Sequence, residues 1–501
     1  MDAAKVLAVL SAAGARLRGA CADSRHVSPG DLFLAYPGHG ARDDGRAYIP
    51  AALERGAAAV VWEKAGFDWK NEWRVPNLGL DGVRALAGPL AARIHGEPSH
   101  DLAMIGVTGT NGKTSVVQWV AQALAACNVP CGSIGTLGAR FGAIDEVVAN
   151  TTPDATVLQR TLARMRGAGA GACAMEVSSI GLDQERVAGV AFDCAVFTNL
   201  SRDHLDYHAD MGAYESAKAR LFEMPGLTHA VVNIDDAAGV RLMARMPAGV
   251  ARIACTIGGA EPIHALVEDE GRLIARDIVF EADGARFLLD GSFGRVQVRS
   301  PVWGEFNIAN LLCVAGVLLS RGIALPDVAA ALEQLTAVPG RMNTLGGASE
   351  PLVVIDYAHT PDALVKVLEA LRPLARARGG RLTAVFGCGG DRDPGKRPAM
   401  GAAAARLADQ VILTSDNPRG EAPEDIVAQI AAGAAARVPA IELDRARAIG
   451  TALMAAAGED VILIAGKGHE TTQEVRGIKS PFSDHDVARS ALEDRRHGGA
   501  T

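Results

Sequence analysis

The stretch Thr108-Gly109-Thr110-Asn111-Gly112-Lys113-Thr114 constrains this chain more than any other. An apolar run, Leu102 to Val107, precedes it, and a helical pattern, Ser115 to Ala126, follows. A strand feeding a Gly-rich turn and then a helix makes a phosphate cradle. The N–H groups of the turn and the free N–H groups of the first helical turn converge on an anion. In such a cradle Lys113 reaches the terminal phosphates and the Thr114 hydroxyl sits on Mg²⁺. The strict phosphate-loop pattern wants Gly where Val107 stands, and glycines occur at 106 and 109 instead. The context of strand, loop and helix, with Lys next to Thr, outweighs that departure. Gly109, Thr110, Asn111, Gly112, Lys113, Thr114 and Ser115 are the expected contacts to a nucleoside triphosphate.

A chain of 501 residues suggests about three domains of roughly 150 residues each. Hydrophobic residues make up 49% and charged residues 22%, the composition of soluble globular protein. The net charge of −8 favours neither nucleic acid nor an anionic membrane surface, so an anionic substrate must be met by local Arg and Lys. The N-terminal stretch Met1–Leu17 is interrupted by Lys5 and Arg16 and does not read as a signal peptide. No apolar run reaches the length of a membrane span. Cys127 and Cys131 lack a neighbouring second pair for a zinc site. Cys173, Cys194 and Cys313 lie in apolar runs and read as core, which fits a reduced, cytoplasmic compartment.

Three blocks are expected. Residues 1–97 hold short strands (31–35, 58–62), helical stretches and Gly-rich turns. Residues 98–338 begin with the phosphate loop and continue with strand-like runs at 172–177, 194–197 and 230–234. From 263 to 300 the pattern changes to short alternating strands, an antiparallel addition, and a helix follows at 307–320. Residues 339–501 repeat the αβ rhythm, with strands at 352–355, 382–386, 411–414 and 461–464 and helices such as 361–374 and 423–435. Short apolar strands alternating with helices imply mostly parallel sheets covered on both faces.

In open parallel sheets ligands bind just past the carboxyl ends of the strands. Glu176 follows Ala172–Met175, and His204 lies in the polar stretch after 194–197. Both suit the Mg²⁺ of the nucleotide. Asp203 and Asp206 fit helix capping equally well. In the third block four strand ends carry Asp356-Tyr357-Ala358-His359-Thr360-Pro361, Gly387 to Arg392, Asp416-Asn417-Pro418-Arg419 and Gly466-Lys467-Gly468-His469-Glu470. One such loop would be ordinary turn chemistry; four on one rim form a ligand-binding edge. Arg392 and Arg419 there can pair with carboxylates, since a guanidinium presents two parallel donors.

The phosphate loop, Asn150-Thr151-Thr152-Pro153, Met175–Ser179, Asn199–His208, Lys218, Trp303–Asn310, Asp356–Pro361, Asp416–Arg419 and Gly466–Glu470 occur in order along the whole chain. As a set they resemble the Mur ligases, and most of all the members that add 2,6-diaminopimelate. The resemblance implies an α/β protein of three domains. A small α/β N-terminal domain would bind the UDP-sugar. A central ATPase-type domain would carry a mostly parallel sheet, and a C-terminal Rossmann-like doubly wound domain would bind the amino acid. The implied reaction is ATP-dependent addition of meso-2,6-diaminopimelate to UDP-MurNAc-L-Ala-D-Glu through an acyl phosphate, in peptidoglycan precursor synthesis.

By the same resemblance, Lys113, Glu176, His204 and Lys218 are the catalytic set, and Thr114, Glu176, His204 and Lys218 hold Mg²⁺. Lys218 carries a CO₂-derived carbamate (N6-carboxylysine), chemistry that needs a neutral amine; without the resemblance it reads as a surface lysine on a helix. Asn307 contacts adenine, Arg341 lies near the γ-phosphate and Asp356 near the ribose. Ser24, His39, Gly40 and Ala41 contact the UDP end. Asn150, Thr151, Thr152, Ser178, Gln184 and Arg186 hold the MurNAc-dipeptide. Arg392, Asp416, Asn417, Pro418, Arg419, Gly466 and Glu470 bind diaminopimelate. Its far carboxylate pairs with Arg419, and lysine, lacking that carboxylate, would leave the guanidinium unmet. Ile180 stands where many members carry His, and Ser115 where Thr is also common. A monomer without nucleic-acid or membrane partners is expected.

Three rivals are a lysine-adding ligase, a folylpolyglutamate synthetase and a nucleotide-dependent binder of cell-wall precursors that does not ligate. Arg419 and the N-terminal block argue against the first two. Lys113, Glu176, His204 and Lys218 are all retained, against the third, and the Asn-Lys-x-Asp motif of a guanine switch does not occur.

Overall fold

The computed structural model describes residues 1–38, 44–258, 271–281, 284–435 and 437–498. Among the described residues it builds three large sheets in chain order and a two-stranded antiparallel hairpin, Thr472–Val475 with Ile478–Pro481. The first has four parallel strands, Gly19–Cys21, Asp31–Ala35, Ala59–Glu63 and Asn77–Leu80, in that spatial order. Helices Ala3–Ala12 and Val83–Ile94 bury Val6, Leu10, Leu90 and Ala91 against Leu32, Leu34 and Val61 on one face.

The second sheet has eleven strands. Its parallel centre runs Ala251–Ile257, His229–Asn233, Cys194–Phe197, Ala103–Thr108, Ala172–Glu176, Cys131–Gly135. The strand at 103–108 lies in the middle, so the phosphate loop opens between the ends of 194–197 and 172–176. Helices Lys113–Ala126 and Glu305–Ser320 cover one face of this sheet and pack on each other. Twelve of the sixteen residues of the latter helix are buried, and a helix apolar all round is one buried all round. The expected antiparallel addition is present as Gly271–Glu281, Gly284–Gly291 and Gly294–Ser300; residues 263–270 of the expected stretch lie outside the described residues. A second antiparallel wing on the opposite edge, Gly138–Phe141 and Ile144–Glu146, was not legible in the sequence. These strands are three or four residues long, too short to show a period.

The third sheet runs Asn343–Gly346, Leu352–Asp356, Val461–Ala465, Leu382–Phe386, Gln410–Leu413, Ala440–Ile441, parallel except for its first strand. Helices Pro361–Arg378, Lys396–Leu407 and Pro423–Gly433 cover one face, Arg445–Ala455 and Asp484–Gly498 the other. Among the described residues, no helix is long and apolar enough to cross a membrane.

Candidate functional site

The residues after strand 103–108 and before helix 113–126 form a loop braced from the neighbouring strand end. Asn111 N–H donates to Asn199 Oδ1 (3.0 Å), Thr110 N–H to the Asn199 carbonyl (2.8 Å), and the Thr198 hydroxyl to the Asn111 carbonyl (2.6 Å). Gly112 has φ +87°, and a Cβ there would press on the Asn310 amide. Glycine is required by the left-handed backbone and by the close approach alike. Lys113 Nζ folds over the loop and donates to the carbonyls of Gly109 and Thr110, both at 2.9 Å.

Lys113, Thr114, Glu176, His204, Asn307, Arg341 and Asp356 line one cleft between the second and third sheets. Glu176 ends its strand almost fully buried. Thr136 holds its carboxylate, the backbone N–H donating to Oε1 (2.8 Å) and the hydroxyl to Oε2 (3.2 Å). Gly135 allows this approach, since a Cβ there would overlap the carboxylate. His204 has φ +54°, a left-handed conformation uncommon outside glycine. Burial, reinforced by the charges of Lys113 and Lys218 and opposed by Asp203, pushes its imidazole down to about 4. A neutral imidazole is the form that ligates metal. Asp203 is not a helix cap, a role taken by Asp210 for the helix Met211–Ala219. Asp203 is buried, with Oδ2 3.6 Å from His204 Nε2 and 3.8 Å from His359 Nε2. Burial raises it, but the bond from His359 and the pull of the neighbouring imidazoles and of Lys396 outweigh that and hold it well below the carboxylate range. Asp206 is exposed.

Lys218 is not a surface lysine: it is 2% exposed. Its Nζ donates to the Gly109 carbonyl from behind the loop (2.8 Å) and lies 4.3 Å from the centroid of the Tyr214 ring. Burial, then the charge of Lys113, pushes its amine well below the usual lysine range. Both effects favour the neutral amine that carbamylation needs.

Arg341 crosses from the third sheet to the phosphate loop, donating from Nη2 to Thr114 Oγ1 (3.0 Å), with its guanidinium over the Tyr357 ring. Asp356 accepts the N–H groups of Met342 and Ala358, both at 2.8 Å, and so shapes the turn that carries Arg341. Asn307 is buried and donates to the Trp303 carbonyl (2.9 Å). Gly109, Thr110, Asn111 and Ser115 lie in the loop and helix start as expected.

Toward the first sheet, Thr152, Ser178, Gln184 and Arg186 form one group. The Thr152 hydroxyl meets the Glu176 carbonyl (2.9 Å) and Ser178 Oγ (3.1 Å). Arg186 donates to the Thr152 carbonyl (3.0 Å) and to Gln184 Oε1 (2.6 and 3.0 Å). Thr151 joins through Thr136 (3.2 Å), while Asn150 is exposed beside them. Ser178 caps the short helix that contains Ile180. Ser24 is buried in the first domain; His39, Gly40 and Ala41 lie outside the described residues. Tyr36 reaches Asp154 across this boundary (3.5 Å), with Arg84 over its ring.

On the third sheet, Asp416, Asn417, Pro418, Arg419, Gly466 and Glu470 form one rim. Asn417 donates to Glu470 Oε2 (2.8 Å), and Lys467 Nζ donates to both Asn417 Oδ1 (3.0 Å) and Glu470 Oε2 (2.9 Å). Burial would raise the Glu470 carboxyl, but Lys467 and Asn417 hold it below its ordinary value. Burial pushes Asp416 up. Gly466, at φ +113°, lies where a Cβ would overlap the Asp416 carboxylate. Arg419 has φ +52° and donates to the Gly390 carbonyl (2.8 Å), next to exposed Arg392.

The chain matches the models described as Mur ligase family, catalytic domain (residues 16–95), Mur ligase middle domain (107–318) and Mur ligase, glutamate ligase domain (340–468). The chain belongs to the Mur ligase family. It is similar to proteins named UDP-N-acetylmuramoyl-L-alanyl-D-glutamate–2,6-diaminopimelate ligase. One, from Janthinobacterium sp. (strain Marseille), is 50% identical over 96% of this chain and 95% of its own length. Another, from Pseudomonas aeruginosa, is 51% identical over 94% of each. A solved structure under the same enzyme name is 35% identical, covers 96% of both chains and superposes with TM-score 0.66. A Mur ligase of this kind is an ATP-dependent ligase of peptidoglycan synthesis, with the three-domain α/β architecture described above.

Two residues of the site, Thr136 and Tyr214, carried no sequence signal of their own, and a third, His359, was legible only as part of a strand-end motif, without its partner Asp203. Thr136 follows a short strand on the far side of Glu176, and Tyr214 approaches Thr110 (3.1 Å) from helix 211–219. His359 reaches Asp203 from another sheet.

Proposed function

We propose that this Mur ligase adds meso-2,6-diaminopimelate to UDP-MurNAc-L-Ala-D-Glu, with ATP cleaved to ADP and phosphate. The observation that carries the reading is a cleft lined from two sheets. One side brings a phosphate loop with Glu176 and His204, and the other brings Arg341 onto Thr114. The rim with Arg392 and Arg419 belongs to that second side. Boundaries near 97/98 and 338/339, a monomeric state and a cytoplasmic location complete the proposal.

On this reading the γ-phosphoryl group of ATP passes to a carboxylate oxygen of the dipeptide, and its bond to the ADP oxygen breaks. A poor electrophile becomes an acyl phosphate. The amine of the amino acid adds to the acyl carbon, phosphate leaves with the bonding electrons, and loss of the amine proton gives the amide. Lys113 and the loop N–H groups lower the repulsion between two anions that must meet. Thr151, Thr152, Ser178, Gln184 and Arg186 hold the acceptor. Asp416, Asn417, Arg419, Gly466 and Glu470 orient the amino acid, with Arg392 beside them.

The donor set suits Mg²⁺. Among the described residues, no group of three or more acidic, His or Cys side chains encloses a metal by itself, and Mg²⁺ characteristically takes one or two carboxylates and completes its shell with phosphate and water. Thr114, Glu176 and His204 would hold it, and it would neutralise charge on the transferring group. Lys218, with its depressed amine, is the position for a carbamate: CO₂ bonds to the neutral nitrogen and a proton leaves. That would make an anion, able to assist a second Mg²⁺, from a potential cation.

The testing experiment offers the UDP-MurNAc-dipeptide and ATP with either meso-diaminopimelate or lysine, measures ADP release and weighs the product. Turnover with diaminopimelate alone is expected. Turnover with lysine would keep the ligase and overturn the specificity, and no turnover with either would overturn the reading.

A further inference from the structure

Arg202 and Asp393 join the two halves of the site across their boundary. Arg202 lies on the loop of His204, two residues before it. Asp393 follows Arg392 directly. Across the boundary Arg202 Nε is 3.1 Å from Asp393 Oδ2, and Nη2 is 3.4 Å from Oδ1, the forked arrangement of a guanidinium on a carboxylate.

The seat for this pair is built. Asp393 is buried, and its Oδ1 also accepts the Gly395 N–H (2.8 Å). A Cβ on Gly395 would come within 2.6 Å of Arg202 Nη2, so the guanidinium lies against a residue with no side chain. Buried Lys396 opens the following helix, and its charge acts on both Asp393 and Asp203. His359, also from the third sheet, approaches Asp203 on the same loop. The loop that holds His204 in a left-handed conformation is thus gripped by the C-terminal domain as well as by its own, where the Ser201 N–H donates to Thr110 Oγ1 (3.0 Å) and the Leu200 N–H to Asp236 Oδ2 (2.7 Å).

We propose that Arg202 and Asp393 are positioning residues that couple the amino-acid site to the phosphate site. A carboxylate bound at Arg392 steadies the 389–395 loop, Asp393 steadies Arg202, and the His204 loop settles for phosphoryl transfer. This rests on the function proposed above.

Coupling between two binding sites is reciprocal and typically amounts to 5- to 150-fold in affinity. The experiment measures equilibrium binding of a non-hydrolysable ATP analogue with Mg²⁺, with and without saturating meso-diaminopimelate, in the full-length protein. In the wild type the amino acid is expected to tighten nucleotide binding at least about fivefold. In Arg202→Ala and in Gly395→Ala, which blocks the seat but keeps both charges, that ratio should fall towards one while nucleotide affinity in the absence of amino acid changes little. The exchange Arg202→Asp with Asp393→Arg should recover part of it. Arg202 is largely exposed, so its loss is not expected to unfold the chain. A ratio of one in a wild-type enzyme that ligates, or a ratio unchanged by Arg202→Ala, overturns the coupling and leaves the function intact. Failure of the wild type to ligate overturns the function.

Discussion

Lys113 and Lys218 donate to the same acceptor, the carbonyl oxygen of Gly109, at 2.9 and 2.8 Å. Two ammonium groups meeting on one oxygen in a buried place repel each other. The lysine with less access to solvent and phosphate, Lys218, sheds its proton more readily. The phosphate loop and the candidate carbamate site are therefore one electrostatic unit.

From this follows a carbamate test. In the presence of ¹³C-bicarbonate, the protein should show a carbamate carbon signal that disappears in Lys218→Met. That variant should lose about 10²- to 10³-fold in kcat, the scale for removing a group that stabilises charge in the transition state. A full signal in Lys218→Met would place the carbamate elsewhere.

The same depressed amine predicts a pH dependence of stability. Between its lowered folded value and the ordinary lysine value of 10.5, the unfolded lysine binds a proton that the folded one does not. Stability should thus rise with pH through that window, by up to about 1.4 kcal/mol per pH unit for one group, and fall on acidification. Chemical denaturation across alkaline pH, with bicarbonate removed, should show a shallower slope in Lys218→Met.

Arg419→Ala should cut kcat/KM for diaminopimelate by about 10- to 100-fold, the worth of a charged hydrogen bond of roughly 1.5–3 kcal/mol. The loss should fall mainly on KM. Steady-state kinetics with varied amino acid decide it, and an unchanged value would remove Arg419 from substrate choice.

Thr136→Val should weaken the hold on Glu176 without removing it, because the backbone N–H bond survives. The Mg²⁺ concentration for half-maximal rate should rise about fivefold, the effect of roughly 1 kcal/mol. Glu176→Gln should be far more damaging in the same assay.

Arg445 and Asp484 are both fully buried and paired at 2.7 and 2.8 Å. Arg445 also donates to the carbonyls of Ser415 (3.3 Å) and Ala465 (2.9 Å), which precede Asp416 and Gly466. Asp484→Ala would leave a buried unpaired guanidinium and should destabilise the C-terminal domain by about 3–5 kcal/mol, read by urea unfolding. Diaminopimelate binding should weaken with it, since the pair braces the rim.

The sequence by itself determined the strand–loop–helix at 103–126, the parallel rhythm of both large sheets and the rim at Asp416–Arg419. These are local: an apolar run of strand length, a glycine at a left-handed turn and a charged strand end are each written within a few residues. The boundaries drawn from the pattern agree with the elements found at 31–35, 194–197 and 382–386. Resemblance, not pattern, pointed to Lys218, because a lysine on a helix carries no mark of what will cover it.

Only the tertiary structure decided the rest. Lys218 became neutral-prone because the phosphate loop closes over it. Asp203 turned from a possible cap into a buried neighbour of His359. Arg341 and Arg202 gained partners from another sheet. The antiparallel wing at 138–146 formed because an open sheet edge was there to receive it. In each case the deciding quantity is burial or charge contributed by residues far away in sequence, and such energies exist only once the chain has packed.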